Sequence, residues 1–257
     1  MSLKWKDFDV VVFDLDGTIY NSNTLIDGAD TIVDLFRKHN KKIIFGTNNS
    51  GKSRLEIADK LNKLGVKCLG EDEVITSAFL AGKYVKENKL NDLFVIGTEQ
   101  LKNEIKANGI SIVNEDTAKT LLVGFVKDID YKTLSSGFRL ASKVKNVLFC
   151  NEDRFYPASD GKMYPGCGYI TGSIKWCANR NDYVCIGKPS SYMLEYISNS
   201  LRVSNERILC IGDSDETDYP MASSIGSKCI LINSTFKAND VINVKDIKDI
   251  ARLIEED

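Results

Sequence analysis

The first part of the chain alternates between short apolar runs and stretches with helical spacing of apolar residues. The run Phe8–Phe13 ends abruptly in the polar segment Asp14–Thr18, which is typical of a buried strand and the loop that leaves it. Residues 29–38 and 53–64 have apolar side chains at helical spacing, and the run Ile43–Phe45 lies between them. This strand, helix, strand, helix order predicts a parallel sheet with helices on both faces.

A second series of elements follows after residue 72. Its predicted members are a helix over 74–88, a strand over 93–96, a helix over 99–107, a strand over 120–126, a helix over 131–143 and a strand over 146–150. Residues 151–168 are the least regular stretch and contain Pro157, Pro165 and several glycines, so they predict a long loop before a helix over 169–179. Loops of that length usually have a function.

The last part of the chain again alternates between predicted strands and helices, as the first part does. We predict a strand over 183–186, a helix over 192–201, strands over 207–211 and 228–232, and a terminal helix over 246–257. The fold class is therefore α/β, with a doubly wound parallel-sheet core interrupted by an inserted α/β domain. The predicted boundaries are 1–76 and 183–257 for the discontinuous core and 77–182 for the insertion.

Composition narrows the classes of function. The 257 residues include 34 Lys+Arg and 36 Asp+Glu, for a formal net charge of −2. That balance argues against a protein that coats nucleic acid or an anionic membrane, because both tasks usually need a basic surplus. No apolar run approaches the roughly 20 residues that cross a bilayer, and residues 1–6 lack a signal-peptide core. We therefore predict a cytoplasmic protein that binds neither nucleic acid nor membrane.

Cysteine and histidine usage limits the chemistry further. The seven cysteines are odd in number and show no CxxC spacing, which predicts reduced thiols in the core. The single histidine, His39, lies in a polar turn after a helical pattern. One histidine excludes a multi-histidine metal site within one chain, and its position favours an exposed capping role over Ser-His-Asp catalysis.

Four polar loops, each following a predicted strand, contain the candidate chemistry. They hold Asp14 and Asp16, then Thr47 and Asn48, then Lys188, and finally Asp213 with Asp215, Glu216 and Asp218. Functional groups gather at the carboxyl ends of strands in open α/β sheets. Carboxylates for a hard cation, a hydroxyl, backbone amides and one ammonium are together what a phosphate monoester with Mg²⁺ requires. Each loop alone also fits an ordinary turn or helix cap, so the inference depends on the four together.

These loops resemble the ordered motifs of a known family. The matching segments are Phe13–Tyr20, Thr47–Asn49, Gly187–Pro189 and Gly212–Asp218. Their order and spacing resemble the four motifs of the haloacid dehalogenase (HAD) superfamily of phosphatases, and the resemblance spans most of the chain. The position of the insertion, together with the segments Asn151–Asp153 and Pro165–Gly168, is similar to the subgroup with a large α/β cap of the C2 type. That subgroup includes the NagD-like, p-nitrophenyl phosphatase and phosphoglycolate phosphatase-like enzymes.

The resemblance implies a reaction and roles for the carboxylates. It implies a HAD-like Rossmannoid core and a phosphatase that hydrolyses small phosphate monoesters through an aspartyl-phosphate. Asp14 would attack phosphorus, and Asp16 would protonate the leaving group and then activate water. Mg²⁺ would be held by Asp14, the backbone carbonyl of Asp16, and Asp213. Because Asp14 must stay ionised while Asp16 holds a proton, their environments must separate their pKa values.

The remaining motif residues would bind phosphate or support the site. By resemblance, the Thr47 hydroxyl, the Asn48 backbone amide and Lys188 would bind the phosphate oxygens. Supporting roles fall to Gly17, Asn49 and Asp218. Gly17 permits a sharp turn beside the phosphate. Asp218 would orient Lys188 or a metal-bound water, rather than bind the metal directly.

Two segments depart from the subgroup's pattern or leave roles open. The loop from Gly212 to Tyr219 has a serine and two additional acids where the subgroup commonly has a basic or apolar residue, so the duties of Asp215, Glu216 and Asp218 stay open. The irregular loop offers residues that either face the substrate or only hold their own loop together: Asn151, Asp153, Arg154, Tyr156, Tyr164, Gly166 and Cys167.

Alternatives to the phosphatase remain at this stage. A phosphotransferase or mutase on the same scaffold would differ only in the acceptor of the phosphoryl group. A receiver-like phosphoacceptor signalling domain shares a strand-end Asp, a Thr and a Lys, but such domains are about half this length, and the second carboxylate at Asp16 favours turnover. A binding protein with a decayed site is disfavoured because every required group is present. The expected partner is a small phosphorylated metabolite, and the subgroup's habit of dimerising through its caps leaves a homodimer open.

Overall fold

The structure is a computed structural model that describes residues 3–255. The strands in chain order are β1 (Leu3–Lys4), β2 (Val10–Phe13), β3 (Tyr20–Asn21), β4 (Thr24–Leu25), β5 (Lys42–Thr47), β6 (Val74–Thr76), β7 (Leu93–Ile96), β8 (Thr120–Val123), β9 (Asn146–Phe149), β10 (Phe155–Pro157), β11 (Met163–Pro165), β12 (Val184–Cys185), β13 (Ile208–Gly212), β14 (Lys228–Ile232), β15 (Val241–Val244) and β16 (Ile254–Glu255). The α-helices are α1 (Ala29–Lys38), α2 (Arg54–Lys63), α3 (Ser77–Glu87), α4 (Glu99–Ala107), α5 (Tyr131–Ala141), α6 (Gly168–Ala178), α7 (Tyr192–Leu201) and α8 (Asp218–Ser223).

The chain divides into two compact units. Within the described range, the first comprises residues 3–47, 55–75 and 188–255, and the second comprises residues 48–54 and 76–187. The second unit thus includes the short segment that directly follows Thr47.

A six-stranded sheet forms the centre of the first unit. Its strand order is β15-β14-β13-β2-β5-β6, and β2 pairs in parallel with both β13 and β5. All four residues of β2 are buried because helices cover such parallel sheets on both faces, which explains why this strand has a continuous apolar sequence. The helix α1 buries its apolar stripe, including Ile32 and Phe36, in the core of this unit. The predicted doubly wound parallel α/β fold is confirmed.

A separate four-stranded parallel sheet forms the second unit. Its order is β12-β9-β8-β7, and its core includes Leu121, Phe149 and Ile174. The prediction placed the strand over residues 183–186 in the core domain. This placement is wrong, because β12 pairs with β9 in the second sheet. The apolar pattern of so short a strand identifies its conformation but not its partner.

Three further local predictions were wrong in part. The predicted helix over 74–88 begins instead with the strand β6, because Val74, Ile75 and Thr76 are β-branched, and the Thr76 hydroxyl accepts a hydrogen bond from the Phe79 N–H at the start of α3. The predicted loop over 151–168 contains a hairpin in which β10 and β11 pair antiparallel, with Tyr156 opposite Tyr164.

The predicted terminal helix over 246–257 is a 3-10 helix over Ile247–Arg252 followed by β16. Ile254 pairs with Leu3 near the other end of the chain, a non-local contact that competes with the helix. Residues 256–257 of that prediction lie outside the described range. The seven cysteines are free, and Cys177 is the exposed one among them. His39 stacks on the ring of Trp5. Within residues 3–255, no helix is both long and apolar enough to cross a membrane.

Candidate active site

Three neighbouring strands of the first sheet end in predicted site residues. Asp14 directly follows β2, Asp213 directly follows β13, and Thr47 is the last residue of β5. Because β2 lies between β13 and β5 and pairs in parallel with both, these three residues leave the same edge of the sheet. The Asp14 N–H donates to the Ile211 carbonyl at 2.8 Å, which extends the strand pairing up to the candidate nucleophile.

The loop after β2 packs against Asp213 at Gly17. Gly17 has φ +91°, in the left-handed region that favours glycine, and its N–H donates to the Tyr20 carbonyl at 2.9 Å. A Cβ at this position would come within 2.0 Å of Asp213 Oδ2. Gly17 is therefore required both by the turn and by the close approach of the Asp213 carboxylate.

Lys188 contacts two carboxylates. Its ammonium donates to Asp14 Oδ1 at 2.5 Å and to Asp218 Oδ1 at 2.6 Å. The Lys188 and Asp218 side chains are 5% and 3% exposed, and that of Asp14 is 10% exposed, so the three charges interact with little screening by water. A lysine held in this way is a fixed positive charge beside Asp14.

Asp218 is held in place by its own loop. Its Oδ2 accepts a hydrogen bond from the Ser214 N–H at 3.1 Å, and the Ser214 hydroxyl accepts one from the Thr217 N–H at 3.1 Å. A Cβ on Gly212 would lie 2.2 Å from Asp218 Oδ2, so glycine at this position leaves room for the carboxylate. Ser214, a departure from the subgroup's pattern, thus shapes the turn that presents Asp218 to Lys188.

Burial and neighbouring charges together shift the pKa values in this cluster. Burial raises the pKa of Asp14 well above its ordinary value; Lys188 opposes this shift, whereas Asp218 and Asp213 add to it. Desolvation and the charge of Asp218 raise the pKa of Asp213 to about 6. Burial alone would lower the pKa of Lys188, but Asp14 and Asp218 reverse that effect and raise it, so the lysine stays charged.

The same cluster has the donor set of a site for a hard divalent cation. Among residues 3–255, Asp14, Asp213 and Asp218 form the group in which one carboxylate oxygen from each residue lies within 4.8 Å of the others. When all are ionised, the three carboxylates and the Lys188 ammonium carry a net formal charge of −2. Oxygen donors and a charge of this sign fit Mg²⁺, which binds proteins through carboxylates.

The other predicted residues lie in different surroundings. Asp16 is exposed, and its charge adds to the field that raises the pKa of Asp213. Thr47 is buried at the end of β5. Asn48 and Asn49 belong to the second unit, where Asn49 Oδ1 accepts hydrogen bonds from the N–H groups of residues 51 and 52, both at 2.9 Å. Asn49 therefore shapes the turn before α2.

The acidic loop separates into exposed and buried members. Asp215 and Glu216 are exposed, whereas Asp218 is buried against Lys188. The sequence placed all three in one loop and left their duties open. The distinction depends on the contact with Lys188, which lies 30 residues away along the chain and gives no local signal.

Family models match both parts of the chain that hold these residues. A model of the haloacid dehalogenase-like hydrolases matches residues 11–111, and a HAD-hydrolase-like model matches residues 185–250. The first match includes Asp14, Asp16 and Thr47, and the second includes Lys188 and Asp213.

Individual relatives agree with these matches. Phosphoglycolate phosphatase 2 from Arabidopsis thaliana is 30% identical over 248 residues, which cover 87% of this chain and 82% of the relative. Sugar-phosphatase AraL from Bacillus subtilis strain 168 is 29% identical over 254 residues, which cover 96% of this chain and 93% of the relative. A solved structure of p-nitrophenyl phosphatase from Archaeoglobus fulgidus superimposes with a TM-score of 0.87 at 27% identity, covering 96% and 99% of the two chains.

The predicted resemblance to the NagD-like and p-nitrophenyl phosphatase subgroup is confirmed by these neighbours. The motif order, the fold and the identity over most of both chains agree with one another. The chain belongs to the haloacid dehalogenase-like hydrolase family.

Proposed function

We propose that this phosphatase hydrolyses small phosphate monoesters in a Mg²⁺-dependent reaction that passes through an aspartyl-phosphate on Asp14. The observation that supports this proposal most directly is the buried contact of Lys188 with Asp14 and Asp218 beside Asp213. A carboxylate next to a fixed ammonium and two further carboxylates suits phosphoryl transfer, in which positioning and electrostatics supply most of the rate enhancement.

Asp14 is the proposed nucleophile. Its Oδ1 is held by Lys188, which favours the ionised form that attacks phosphorus. Burial and the neighbouring carboxylates oppose that ionisation, so the proposed reaction requires a cation to offset them. Asp14 and Asp213 through their carboxylates, and Asp16 through its backbone carbonyl, would hold Mg²⁺. When bound, Mg²⁺ would neutralise charge on the carboxylates and on the phosphate.

Asp16 is the proposed general acid and base. It lies two residues after Asp14 and is exposed, so it is able to exchange a proton with a leaving group or with water. In the first step it would protonate the departing alkoxide as the phosphoryl group moves to Asp14. In the second step it would take a proton from the water that attacks the aspartyl-phosphate.

Phosphate binding is assigned to Thr47, the Asn48 backbone N–H and Lys188. The buried Thr47 hydroxyl and the Lys188 ammonium supply donors in the first unit, and Asn48 follows Thr47 directly in the chain. Donors fixed before the reaction stabilise charge on the phosphoryl oxygens in the transition state.

The substrate class is proposed as a small phosphorylated metabolite. Two curated relatives are named for phosphoglycolate and for sugar phosphates, and both names describe small phosphate monoesters. The boundaries 1–76 and 183–257 for a catalytic core and 77–182 for a cap stay predictions, apart from the strand Val184–Cys185, which belongs to the second sheet. The cytoplasmic location and a homodimer through the cap also stay predictions.

Release of inorganic phosphate tests the function. Wild type, Asp14→Asn and the control Asp59→Asn, which changes an exposed carboxylate on α2, are assayed on phosphoglycolate, sugar phosphates and p-nitrophenyl phosphate with Mg²⁺ or EDTA. We expect Mg²⁺-dependent release by wild type and by the control, and none by Asp14→Asn. A hydroxylamine-labile phosphoryl group on the peptide that contains Asp14 would identify the intermediate.

Three results would contradict the proposal. Substantial activity of Asp14→Asn would exclude Asp14 as the nucleophile. Consumption of ester without phosphate release, but with phosphorylation of an added alcohol, would identify a phosphotransferase. A stable phosphoryl-protein without turnover would point instead to a phosphoacceptor domain.

A further inference from the structure

Asn48 forms hydrogen bonds with three side chains of the second unit. Its backbone carbonyl accepts hydrogen bonds from Ser77 Oγ at 2.6 Å and from Asn151 Nδ2 at 2.7 Å. Its side-chain Nδ2 donates to Asp153 Oδ1 at 2.8 Å. Asn48, Ser77 and Asn151 are all buried, so these hydrogen bonds provide the partners that buried polar groups need.

The contacts close into a ring. The Asp153 N–H donates to Asn151 Oδ1 at 3.2 Å, so Asn151 bridges the Asn48 carbonyl and the Asp153 backbone. Because Asp153 also accepts from the Asn48 side chain, displacement of any one of the three residues breaks contacts of the other two. Closed networks of buried and partly buried hydrogen bonds favour one arrangement of their members.

Two glycines pack against the backbone carbonyl of Asp153. The Gly168 N–H donates to the Asp153 carbonyl at 2.9 Å. A Cβ on Gly166 would lie 2.2 Å from that same carbonyl oxygen, so only glycine leaves it room. The segment Asn151–Asp153 therefore binds Asn48, and the segment Pro165–Gly168 packs against the backbone of Asp153.

We propose that Asn151 and Asp153, together with Ser77, are positioning residues for phosphate binding. This inference depends on the proposed function, in which the Asn48 N–H is a phosphate donor. With both its carbonyl and its side chain held, Asn48 has little freedom to rotate about its backbone dihedrals, which fixes the direction of its N–H. A donor misplaced by about 1 Å costs on the order of a hundredfold in rate.

This role differs from contact with the leaving group, which the sequence left open for Asn151 and Asp153. Asn151 uses its amide nitrogen on the Asn48 carbonyl and its amide oxygen on the Asp153 N–H. The Asp153 carboxylate accepts from Asn48. A residue that acts on Asn48 should affect every phosphate ester equally, because all esters share the phosphoryl group.

The test compares Asp153→Ala with Asp153→Asn. Alanine removes the acceptor for Asn48 Nδ2, whereas asparagine retains an Oδ1 in the same place. We expect Asp153→Ala to lower kcat/KM by about ten- to a hundredfold, by the same factor for substrates with different leaving groups. The inhibition constant of inorganic phosphate should rise in parallel. Asp153→Asn should stay within about threefold of wild type, since one neutral hydrogen bond replaces a charged one.

A structural readout accompanies the kinetics. Hydrogen exchange of the peptide amides over residues 46–52 should be faster in Asp153→Ala than in wild type and should recover in Asp153→Asn. Asp116→Ala, which removes an exposed carboxylate of the same unit, is the matched control and should change neither readout. If Asp153→Ala does not fold, Ser77→Ala removes one donor from the Asn48 carbonyl and is measured in the same way.

Two outcomes would overturn the inference. One is unchanged exchange and unchanged phosphate inhibition in Asp153→Ala. The other is a loss of kcat/KM that depends on the leaving group while phosphate inhibition stays constant, which would assign Asp153 to the leaving group. Absence of phosphate release by wild type would instead refute the proposed function, and the exchange measurement would still show whether the ring holds Asn48.

Discussion

Replacing Lys188 with methionine should destabilise the first unit as well as disable the reaction. Methionine retains the length and apolar stem of the side chain but removes the ammonium that contacts Asp14 at 2.5 Å and Asp218 at 2.6 Å. Both carboxylates are at most 10% exposed, so water does not replace the lost partner fully. The substitution therefore leaves a cluster of buried carboxylates without its cation.

The expected magnitude follows from this burial. Removing one partner of a buried ion pair typically costs about 3–5 kcal/mol, because an uncompensated charge stays behind. Protonation of Asp14, whose pKa is raised, limits the loss, so we expect about 3 kcal/mol at neutral pH in EDTA. Turnover should fall on the order of a hundredfold or more in kcat/KM, since a preorganised charge at the phosphate is lost.

Urea unfolding followed by tryptophan fluorescence measures the first quantity. Trp5 is 6% exposed in the core of the first unit, whereas Trp176 of the second unit is 87% exposed, so a Trp176→Phe background reports on the first unit. The control Lys228→Met breaks the partly exposed 3.3 Å pair with Asp7 and should cost less than about 1 kcal/mol. A loss below about 1 kcal/mol in Lys188→Met, with an unchanged denaturant slope, would refute the reasoning.

Three further outcomes are expected. Gly17→Ala should lower kcat/KM at least tenfold, because a Cβ at φ +91° would meet Asp213 Oδ2 at 2.0 Å; wild-type kinetics would contradict that close approach. Asp213→Asn should raise the Mg²⁺ concentration for half-maximal activity by about tenfold or more, and an unchanged Mg²⁺ titration would remove Asp213 from the metal site. Glu73→Gln should lower the free energy of unfolding at pH 7 by about 1–3 kcal/mol, since Arg37 donates to both Glu73 carboxylate oxygens at 2.8 and 2.6 Å. Burial raises the pKa of Glu73, but hydrogen bonds from Arg37 and the Leu69 N–H outweigh this effect and lower the pKa from its ordinary value of 4.5. The stabilisation by this pair is therefore present above pH 4.5. It is lost as the pH falls through the pKa of Glu73 in the folded protein. The stabilities of wild type and Glu73→Gln should converge in acid, and parallel curves would show that the pair does not titrate.

The sequence by itself determined the elements whose signals are local. The helices over Ala29–Lys38 and Tyr192–Leu201 and the strands over Leu93–Ile96 and Lys228–Ile232 occupy the predicted residues. In these segments the periodicity of apolar side chains and the residues at the ends agree with the tertiary environment. The parallel α/β fold and the family followed from the same local patterns, because each motif is a short run at a strand end.

Pairing partners needed the tertiary structure. Val184–Cys185 reads as a strand in the sequence, but only the fold assigns it to β9, and Ile254 becomes a strand residue through Leu3 near the opposite end of the chain. A strand of two residues has too few side chains for its pattern to select a neighbour. The tertiary environment also outweighed helix propensity near the end of the chain, where a 3-10 helix over Ile247–Arg252 stands in place of the predicted α-helix.

The chemistry of the site divides in the same way. The sequence placed Asp14, Lys188 and Asp218 in strand-end loops, but the hydrogen bonds of Lys188 to the other two join residues 174 and 30 positions away. The bond between Asn48 and Asp153 spans 105 positions. Residue type and spacing determine which groups are available near a strand end, whereas distances, burial and the resulting pKa values arise only when distant segments pack together, because electrostatic and hydrogen-bond energies depend on separation in space.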